Sequence, residues 1–262
     1  VFAAKSKKAL LLAPTFSEYE KALSAAGCEI NFYALKEEND FALGDDYINV
    51  LEGGYDIVFL CSPNNPTGGE LSEQCLLEIV TRCKRLGILP VIDMSFADFS
   101  ENTVSANVLA EAGAAVIKAF TKIYAMPALR LGYMLCCDED LLGKVSLAGQ
   151  SWSVNSLAQA AGAAALDDSD FIGRTVEYIS RERRFLTEKF GAMGIKTYPA
   201  AANFILLKSE HDLADIAMES GIALRRCENF CGLDGSFFRT AVRSHEDNIE
   251  LVMALERGLL NG

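Results

Sequence analysis

The chain has 262 residues, half of them hydrophobic, and carries a formal net charge of −12. This length and composition suit one large domain or two small ones, with a substantial core. The acidic balance excludes a general surface for nucleic acid or for anionic membranes, since both require clustered basic residues, and no apolar stretch is long enough for a membrane span.

Strand-length apolar runs alternate with helical patterns in the first half of the chain, which is typical of a parallel sheet built from βαβ units. Val1–Leu12 is interpreted as a loop that enters a strand. Ser17 and Glu20 form a capping-box pattern that predicts a helix to about Ala26, closed by Gly27. The other elements predicted here are strands at Ile30–Tyr33, Asp56–Cys61, Ile88–Asp93, Ala115–Phe120 and Leu131–Cys136, and a helix at Ser72–Leu86 closed by Gly87.

The pattern changes after Trp152 to two helical stretches, the second of which is long enough to bridge two domains. We therefore predict a large domain over residues 1–165 and a small α+β domain over 166–262. The elements predicted in this half are helices at Ser156–Leu166, Asp170–Met193, Asp212–Ser220 and Glu246–Leu260, and strands at Lys196–Tyr198, Asn203–Leu207, Ala223–Arg225 and Phe237–Val242.

The eight cysteines contain no C-x-x-C pair, which favours free thiols in a reducing cytoplasm over disulfides. Cys227 and Cys231 have a spacing found in metal sites, but only His211 and His245 are available to complete a ligand set. We therefore predict no metal site.

Ligands of doubly wound sheets bind beyond the carboxyl ends of the strands, so residues just after each apolar run are the informative ones. Cys61–Gly68, C-S-P-N-N-P-T-G, follows one strand and on its own reads as a good turn. Asp93 ends the next strand, where its carboxylate needs a cationic partner or hydrogen bonds, although such an aspartate is as often a helix cap.

Cationic residues mark two further places. Lys122 follows the strand Ala115–Phe120 and precedes Arg130 by eight residues; such a lysine can merely extend to solvent, or can attack a carbonyl when it is partly desolvated. The later arginines at strand ends favour an anion site, because the guanidinium fork matches carboxylate and phosphate. These arginines are Arg225, Arg226, Arg239 and Arg243.

The order and spacing of these features resemble the fold-type I pyridoxal-phosphate enzymes of the aminotransferase class I/II family. The specific motifs are P-N-N-P-T-G at residues 63–68 and T-K-x-Y-A-x-P-x-L-R-L-G-Y at Thr121–Tyr133. The resemblance covers essentially the whole chain. It implies the aspartate aminotransferase fold, an α/β fold with a mostly parallel sheet in the large domain and a small C-terminal α+β domain.

The resemblance also implies pyridoxal 5'-phosphate as the cofactor and assigns roles residue by residue. Lys122 is the Schiff-base lysine, which later moves protons. Asp93 pairs with the protonated pyridine nitrogen so that the ring can accept electrons. The other implied contacts are Asn65 to the ring 3-oxygen, Phe16 on the ring face, Thr121 and Arg130 to the cofactor phosphate, and Arg239 to the substrate α-carboxylate.

Two subfamilies with phosphorylated substrates are candidates, threonine-phosphate decarboxylase and histidinol-phosphate aminotransferase. Trp152–Ala158 and Leu224–Ser244 resemble the decarboxylase, in which Arg225 matches the arginine for the substrate phosphate. Phe96 agrees, because aminotransferases usually place there a tyrosine that touches the ring oxygen, and phenylalanine has no hydroxyl to donate. The implied reaction is decarboxylation of L-threonine O-3-phosphate to (R)-1-amino-2-propanol O-2-phosphate for the cobalamin side chain, in a cytoplasmic homodimer.

Three departures from the family leave alternatives open. Ala119 stands where a hydroxyl usually bonds the cofactor phosphate, and Ala128 stands where glycine is usual. The third is an apparent N-terminal truncation, because family members begin with a further segment that carries a phosphate loop and an aromatic reaching the neighbouring subunit. The alternatives are an aminotransferase acting on histidinol phosphate or another amino acid, and a truncated fragment without catalytic activity.

Overall fold

Ten strands and ten α-helices make up the part of the chain that this computed structural model describes, residues 7–102 and 104–261. The predicted entry loop at residues 1–6 lies outside that part. The strands are β1 (Lys8–Ala13), β2 (Glu29–Ala34), β3 (Ile57–Cys61), β4 (Leu89–Asp93), β5 (Ala115–Ala119), β6 (Gly132–Leu135), β7 (Lys196–Thr197), β8 (Phe204–Lys208), β9 (Arg225–Arg226) and β10 (Phe237–Ala241). The helices are α1 (Ser17–Ala25), α2 (Tyr47–Val50), α3 (Glu73–Leu86), α4 (Ala106–Ala112), α5 (Phe120–Ile123), α6 (Glu139–Ala148), α7 (Ser156–Asp167), α8 (Phe171–Ala192), α9 (Leu213–Met218) and α10 (His245–Asn261).

The larger sheet has the strand order β2-β1-β3-β4-β5-β6, in which every neighbouring pair is parallel except β5 with β6. Its central strands are nearly continuous apolar runs, as strands covered on both faces should be. The order reverses between β1 and β3, and ligands of open α/β sheets bind in the crevice beyond the strand ends at such a point. This arrangement is the mostly parallel sheet that the sequence predicts.

Helix α3 shows how local sequence sets element bounds. The Ser72 hydroxyl accepts from the Cys75 N–H at 3.2 Å, and Gly87 ends the helix at a φ of 72°, a conformation that glycine adopts without a steric penalty. Both ends agree with the prediction. The capping box predicted at Ser17 and Glu20 was wrong, because Phe16 occupies the N-cap and makes no side-chain cap hydrogen bond. Helices α2, α4, α5 and α6 were not predicted.

The smaller sheet has the order β7-β8-β10-β9 and is antiparallel throughout. Helices α8, α9 and α10 cover it through a buried apolar cluster that includes Leu186, Phe190, Leu207, Phe238 and Leu255. The sheet follows the predicted α+β pattern, but β9 begins at Arg225 rather than at Ala223. The two residues of β9, Arg225 and Arg226, pair with Arg239 and Phe238 of β10.

The two parts share one apolar core. Leu10 and Leu60 of the larger sheet belong to the same buried cluster as Tyr198, Leu206 and Phe237 from the C-terminal part. The predicted boundary at residue 165 falls in the last turn of α7. The division into domains at 1–165 and 166–262 stays a prediction.

Glu37 connects the two parts electrostatically. It lies in a 3-10 turn after β2, and its carboxylate accepts from Lys208 Nζ at 2.7 Å, Tyr198 Oη at 2.8 Å and Lys196 Nζ at 3.1 Å. The hydrogen bond from Lys208, followed by that from Tyr198, lowers the pKa of Glu37 from 4.5 to about 2.

We expect Glu37→Gln to lower the free energy of unfolding at neutral pH by about 1 kcal/mol, a value reduced because about a third of the side chain is exposed. The folded pKa lies below the unfolded one, so this stabilisation is complete above pH about 4.5 and is lost as pH falls towards about 2. Urea unfolding at several pH values measures it. Glu38→Gln, at an exposed neighbour, is the control, and equal effects of the two variants would refute the prediction.

No helix within the described ranges is long and apolar enough to cross a membrane.

Candidate active site

Four predicted site residues meet at one edge of the larger sheet. Phe16 follows β1, Asn65 follows β3, Asp93 is the last residue of β4, and Lys122 lies in the helical turn after β5. Parallel strands bring their carboxyl ends to the same edge. The topology therefore places these side chains around one crevice.

Asp93 is held by neutral donors. Its Oδ2 accepts from the Tyr19 hydroxyl at 2.6 Å, and its Oδ1 accepts from the Ser95 N–H at 2.9 Å. Within residues 7–102 and 104–261, no lysine, arginine or histidine lies within ion-pair distance of this carboxylate. A half-buried carboxylate with neutral donors alone is suited to receive a cation from a ligand.

Lys122 projects from the short helix α5 towards the loop after β4. Its Nζ lies 5.5 Å from the centroid of the Phe96 ring, within the range of a cation–π contact. The side chain is exposed rather than partly desolvated. The amine is therefore accessible to a ligand in the crevice.

Arg239 of β10 reaches across to the larger sheet. Its guanidinium donates to the side-chain oxygen of Asn65 and lies 5.0 Å from the centroid of the Phe204 ring. The Phe204 ring in turn meets the Phe96 ring edge-on, with centroids 5.0 Å apart. A continuous row of aromatic and cationic groups thus joins Arg239 to Lys122.

Arg225 and Arg239 are directly opposite each other in the antiparallel pair of β9 and β10. Burial, followed by the positive charge of Arg225, lowers the pKa of Arg239 below its ordinary value. Two like charges at opposed positions destabilise a sheet. An anion between them would relieve that repulsion, so the pair has the character of an anion site.

The other late arginines point to different partners. Arg226 donates to Asp212 at 2.6 Å and to Asp215 at 2.7 Å. Arg243 donates to Asp247 at 2.9 Å. Both side chains are used in ion pairs, which leaves Arg225 and Arg239 as the anion-binding candidates of the small sheet.

Thr121 and Arg130 are the chain neighbours of Phe120 and Leu131, which form the last backbone hydrogen bond beyond the β5–β6 ladder. The hydrogen bond from Phe120 N to Leu131 O, 3.1 Å long, joins the residues next to them. Arg130 adopts a φ of 58°, which is unusual for a residue with a side chain, and its guanidinium donates to Pro127 O at 3.0 Å. Backbone strain of this kind is concentrated at functional sites.

The sequence matches the family model for aminotransferase class I and II over residues 1–255. This chain belongs to the aminotransferase class I and II family. The α/β fold with a mostly parallel sheet agrees with this membership, and pyridoxal 5'-phosphate is the implied cofactor. Both predictions from the sequence are confirmed.

Two kinds of enzyme are prominent among the relatives of this chain. The chain is 36% identical to threonine-phosphate decarboxylase of Salmonella typhimurium, over 98% of this chain and 72% of that protein. It is 32% identical to histidinol-phosphate aminotransferase of Methanosarcina mazei, over 96% and 67% of the two chains. The structure of histidinol-phosphate aminotransferase from Clostridium acetobutylicum has a TM-score of 0.93 at 26% identity and covers 100% of this chain and 80% of that one.

The side chains at the crevice fit the cofactor of an aminotransferase class I and II protein. Asp93 can receive the protonated ring nitrogen, and the accessible amine of Lys122 can bind the aldehyde. Thr121 and Arg130 offer a hydroxyl and a guanidinium to the phosphate. The ring of Phe16 is 38% exposed and is available for stacking on the cofactor. These roles stay predictions.

Two residues with contacts at the candidate site, Tyr19 and Phe204, had no assigned role in the sequence analysis. Tyr19 lies one helical turn after Phe16, and this spacing on α1 is a signal that could have revealed it. Phe204 offers no such signal, because an aromatic residue in a strand is ordinarily a core residue. The usual glycine of this family is replaced by Ala128, which does not have a positive φ and is therefore not strained.

A cavity of about 420 Å³ opens beside the Asn64–Leu71 loop, between residues 39–43 and Pro199–Ala201. None of the residues predicted to bind cofactor or substrate lines it. The crevice at the strand ends is therefore a separate place.

Proposed function

We propose that this protein decarboxylates L-threonine O-3-phosphate to (R)-1-amino-2-propanol O-2-phosphate with pyridoxal phosphate as cofactor. The observation that carries the proposal is the direct opposition of Arg225 and Arg239. Opposed residues have Cβ atoms about 5 Å apart. The carboxylate and the phosphate of this substrate are separated by only four bonds, so two neighbouring guanidinium groups suit its two anionic ends.

Arg239 is the candidate for the carboxylate and Arg225 for the phosphate. Arg239 lies next to Asn65 and at the end of the aromatic row that leads to Lys122, and is thus the nearer to the reacting carbon. Arg225 is exposed and donates to Asn229 at 2.8 Å, so a phosphate could replace that neutral acceptor. Charge-assisted bonds to phosphate are the stronger ones.

The cofactor, when bound, supplies an electron sink for the carbanion left after carbon dioxide departs. Asp93 would hold the ring nitrogen protonated, Asn65 would bind the ring 3-oxygen, Phe16 would stack on the ring, and Thr121 and Arg130 would hold the phosphate. Lys122 would bind the cofactor aldehyde, and its amine would supply the proton that takes the place of the lost carboxylate at the substrate Cα.

The orientation of the bound substrate decides between decarboxylation and amino transfer. A decarboxylase must hold the substrate in the orientation in which the bond between Cα and the carboxylate is the one that breaks. Two arginines that fix both anionic ends can impose this orientation. Phe96 supports the choice, because it gives Lys122 an aromatic face and has no hydroxyl for the ring oxygen.

A histidinol-phosphate-type aminotransferase is the second candidate, favoured by the structural similarity to such an enzyme. Histidinol phosphate has a phosphate but no carboxylate, so it would use only one arginine of the opposed pair. The decarboxylase substrate uses both. This difference is our reason for preferring decarboxylation.

The test is to supply L-threonine O-3-phosphate to the protein reconstituted with pyridoxal phosphate, with and without a keto acid. We expect carbon dioxide and aminopropanol phosphate in equal amounts, at the same rate in both samples. Amino transfer that requires the keto acid would refute the proposal in favour of the second candidate. A protein that binds cofactor yet releases neither product would also refute it.

We also place the protein in the cytoplasm as a homodimer. Support comes from the family resemblance and from exposed apolar side chains that a subunit interface could cover. Trp152 is 90% exposed, Leu147 is 89% exposed and Leu157 is 72% exposed. Isolated apolar residues are ordinary at surfaces, but these three lie within residues 147–157, and a continuous apolar patch would be typical of an interaction site.

We expect Ala119→Ser to tighten cofactor binding about two- to tenfold, because a serine hydroxyl at the end of β5 can add one hydrogen bond to the phosphate. Absorbance titration with pyridoxal phosphate measures this affinity. Pyridoxal without the phosphate is the control, and its binding should not change. A gain with both compounds, or with neither, would contradict the phosphate role of this position.

A further inference from the structure

Tyr19 presents a buried hydroxyl to the most important carboxylate of the proposed site. The side chain is 8% exposed, and its Oη lies 2.6 Å from Asp93 Oδ2. Hydrogen bonds to a charged acceptor are short and are stronger than those between neutral groups. The contact joins helix α1 to the end of strand β4.

Packing fixes the Tyr19 ring. It stacks on Phe59 of β3 with centroids 5.2 Å apart and meets Phe16 edge-on at 5.6 Å. It also belongs to a buried apolar cluster with Leu11 and Leu23. A ring enclosed in this way cannot swing aside, so its hydroxyl has one place to point.

The Tyr19 hydroxyl remains protonated. Burial raises its pKa well above the ordinary value, and the negative charge of Asp93 raises it further. The Cys61 thiol is itself buried and donates to Pro63 O at 3.3 Å. Tyr19 therefore acts as a permanent donor and not as an acid or base of the reaction.

Asp93 is thereby held at both oxygens, by Tyr19 at Oδ2 and by the Ser95 N–H at Oδ1. Two fixed donors determine the plane of the carboxylate and the direction of its remaining lone pairs. A ligand cation can then be met without reorientation of the acceptor, which reduces the entropy cost of binding.

We propose that Tyr19 is a positioning residue that acts through Asp93: its hydroxyl aims the carboxylate at the ring nitrogen of the cofactor. The role rests on the function proposed above, which assigns Asp93 to that nitrogen. It differs from stacking or catalysis, because the Tyr19 ring packs against Phe59 and Phe16 and its hydroxyl contacts the carboxylate. Its contribution should therefore appear in cofactor affinity and should depend on the ring nitrogen.

The test compares Tyr19→Phe with Tyr47→Phe in absorbance titrations. Tyr47 is a matched control, since it is also buried and its hydroxyl has no hydrogen-bond partner among the described residues. Two cofactors are titrated: pyridoxal phosphate and its analogue with CH in place of the ring nitrogen. We expect Tyr19→Phe to weaken pyridoxal phosphate binding about five- to twentyfold and to leave analogue binding unchanged, while Tyr47→Phe changes neither.

A second arm uses Asp93→Asn. If Tyr19 acts through Asp93, adding Tyr19→Phe to Asp93→Asn should weaken pyridoxal phosphate binding no further. Equal weakening for the cofactor and its analogue would show a general packing role and overturn the inference, as would no weakening at all. The proposed function is tested separately: if Asp93→Asn alone leaves pyridoxal phosphate affinity unchanged, the assignment of Asp93 fails and the inference falls with it.

Discussion

Replacing Lys122 with alanine should remove both the visible absorbance band of the bound cofactor and at least about 10⁴-fold of the decarboxylation rate. This lysine is proposed to supply the covalent bond to the cofactor and the proton for the substrate Cα, and the variant loses both functions at once. Because the Lys122 side chain is exposed, we expect the variant to fold normally. Absorbance scans and carbon dioxide release measure the two effects.

Lys144→Ala is the control for Lys122→Ala. Lys144 is an exposed lysine on α6, a helix that carries none of the predicted site residues. This variant should keep the band and the full rate. Retention of the band in Lys122→Ala would show that another lysine binds the cofactor, and the assignment of Lys122 would then be wrong.

Removing Arg225 should impair recognition of the substrate phosphate and leave recognition of the substrate carboxylate intact. We expect Arg225→Ala to lower kcat/KM for L-threonine O-3-phosphate about 10²- to 10³-fold, with little effect on any turnover of unphosphorylated L-threonine. Arg239→Ala should lower kcat/KM for both compounds, because both have the carboxylate. Steady-state kinetics of the two variants with the two compounds measure the difference.

Arg226→Ala is the matched control, because Arg226 is the next residue in the chain and is paired with Asp212 and Asp215. It should change kcat/KM for either compound by no more than about twofold. If Arg225→Ala and Arg226→Ala had equal effects on the phosphorylated substrate, Arg225 would have no specific role. The opposed pair would then not explain substrate choice.

The sequence predicted most of the larger sheet, because its buried strands are short apolar runs separated by capped helices. The end of β4 at Asp93 and the end of α3 at Gly87 fall where hydrophobic pattern and turn chemistry put them. The family motifs then indicated which residues at these strand ends would bind a cofactor or substrate. Candidate site residues on short loops after strands could therefore be named from the sequence alone.

Contacts between distant elements could not be predicted. The opposition of Arg225 and Arg239 depends on strand register, and the predicted strand Ala223–Arg225 gave no register. The contacts of Tyr19 with Asp93 and of Phe204 with Arg239 join elements far apart in sequence. Helix α6 was missed for a different reason: it has no buried residue, so it lacks the apolar stripe from which helices are recognised.

The most direct test of the central claim is to locate the cofactor on the chain. The protein is incubated with pyridoxal phosphate, the bond to lysine is made permanent with borohydride, and the digested peptides are mapped by mass spectrometry. We predict one modified peptide, the one that contains Lys122, and no modification when Lys122 is replaced by alanine. Modification of a different lysine, or an unmodified chain, would contradict the proposed site.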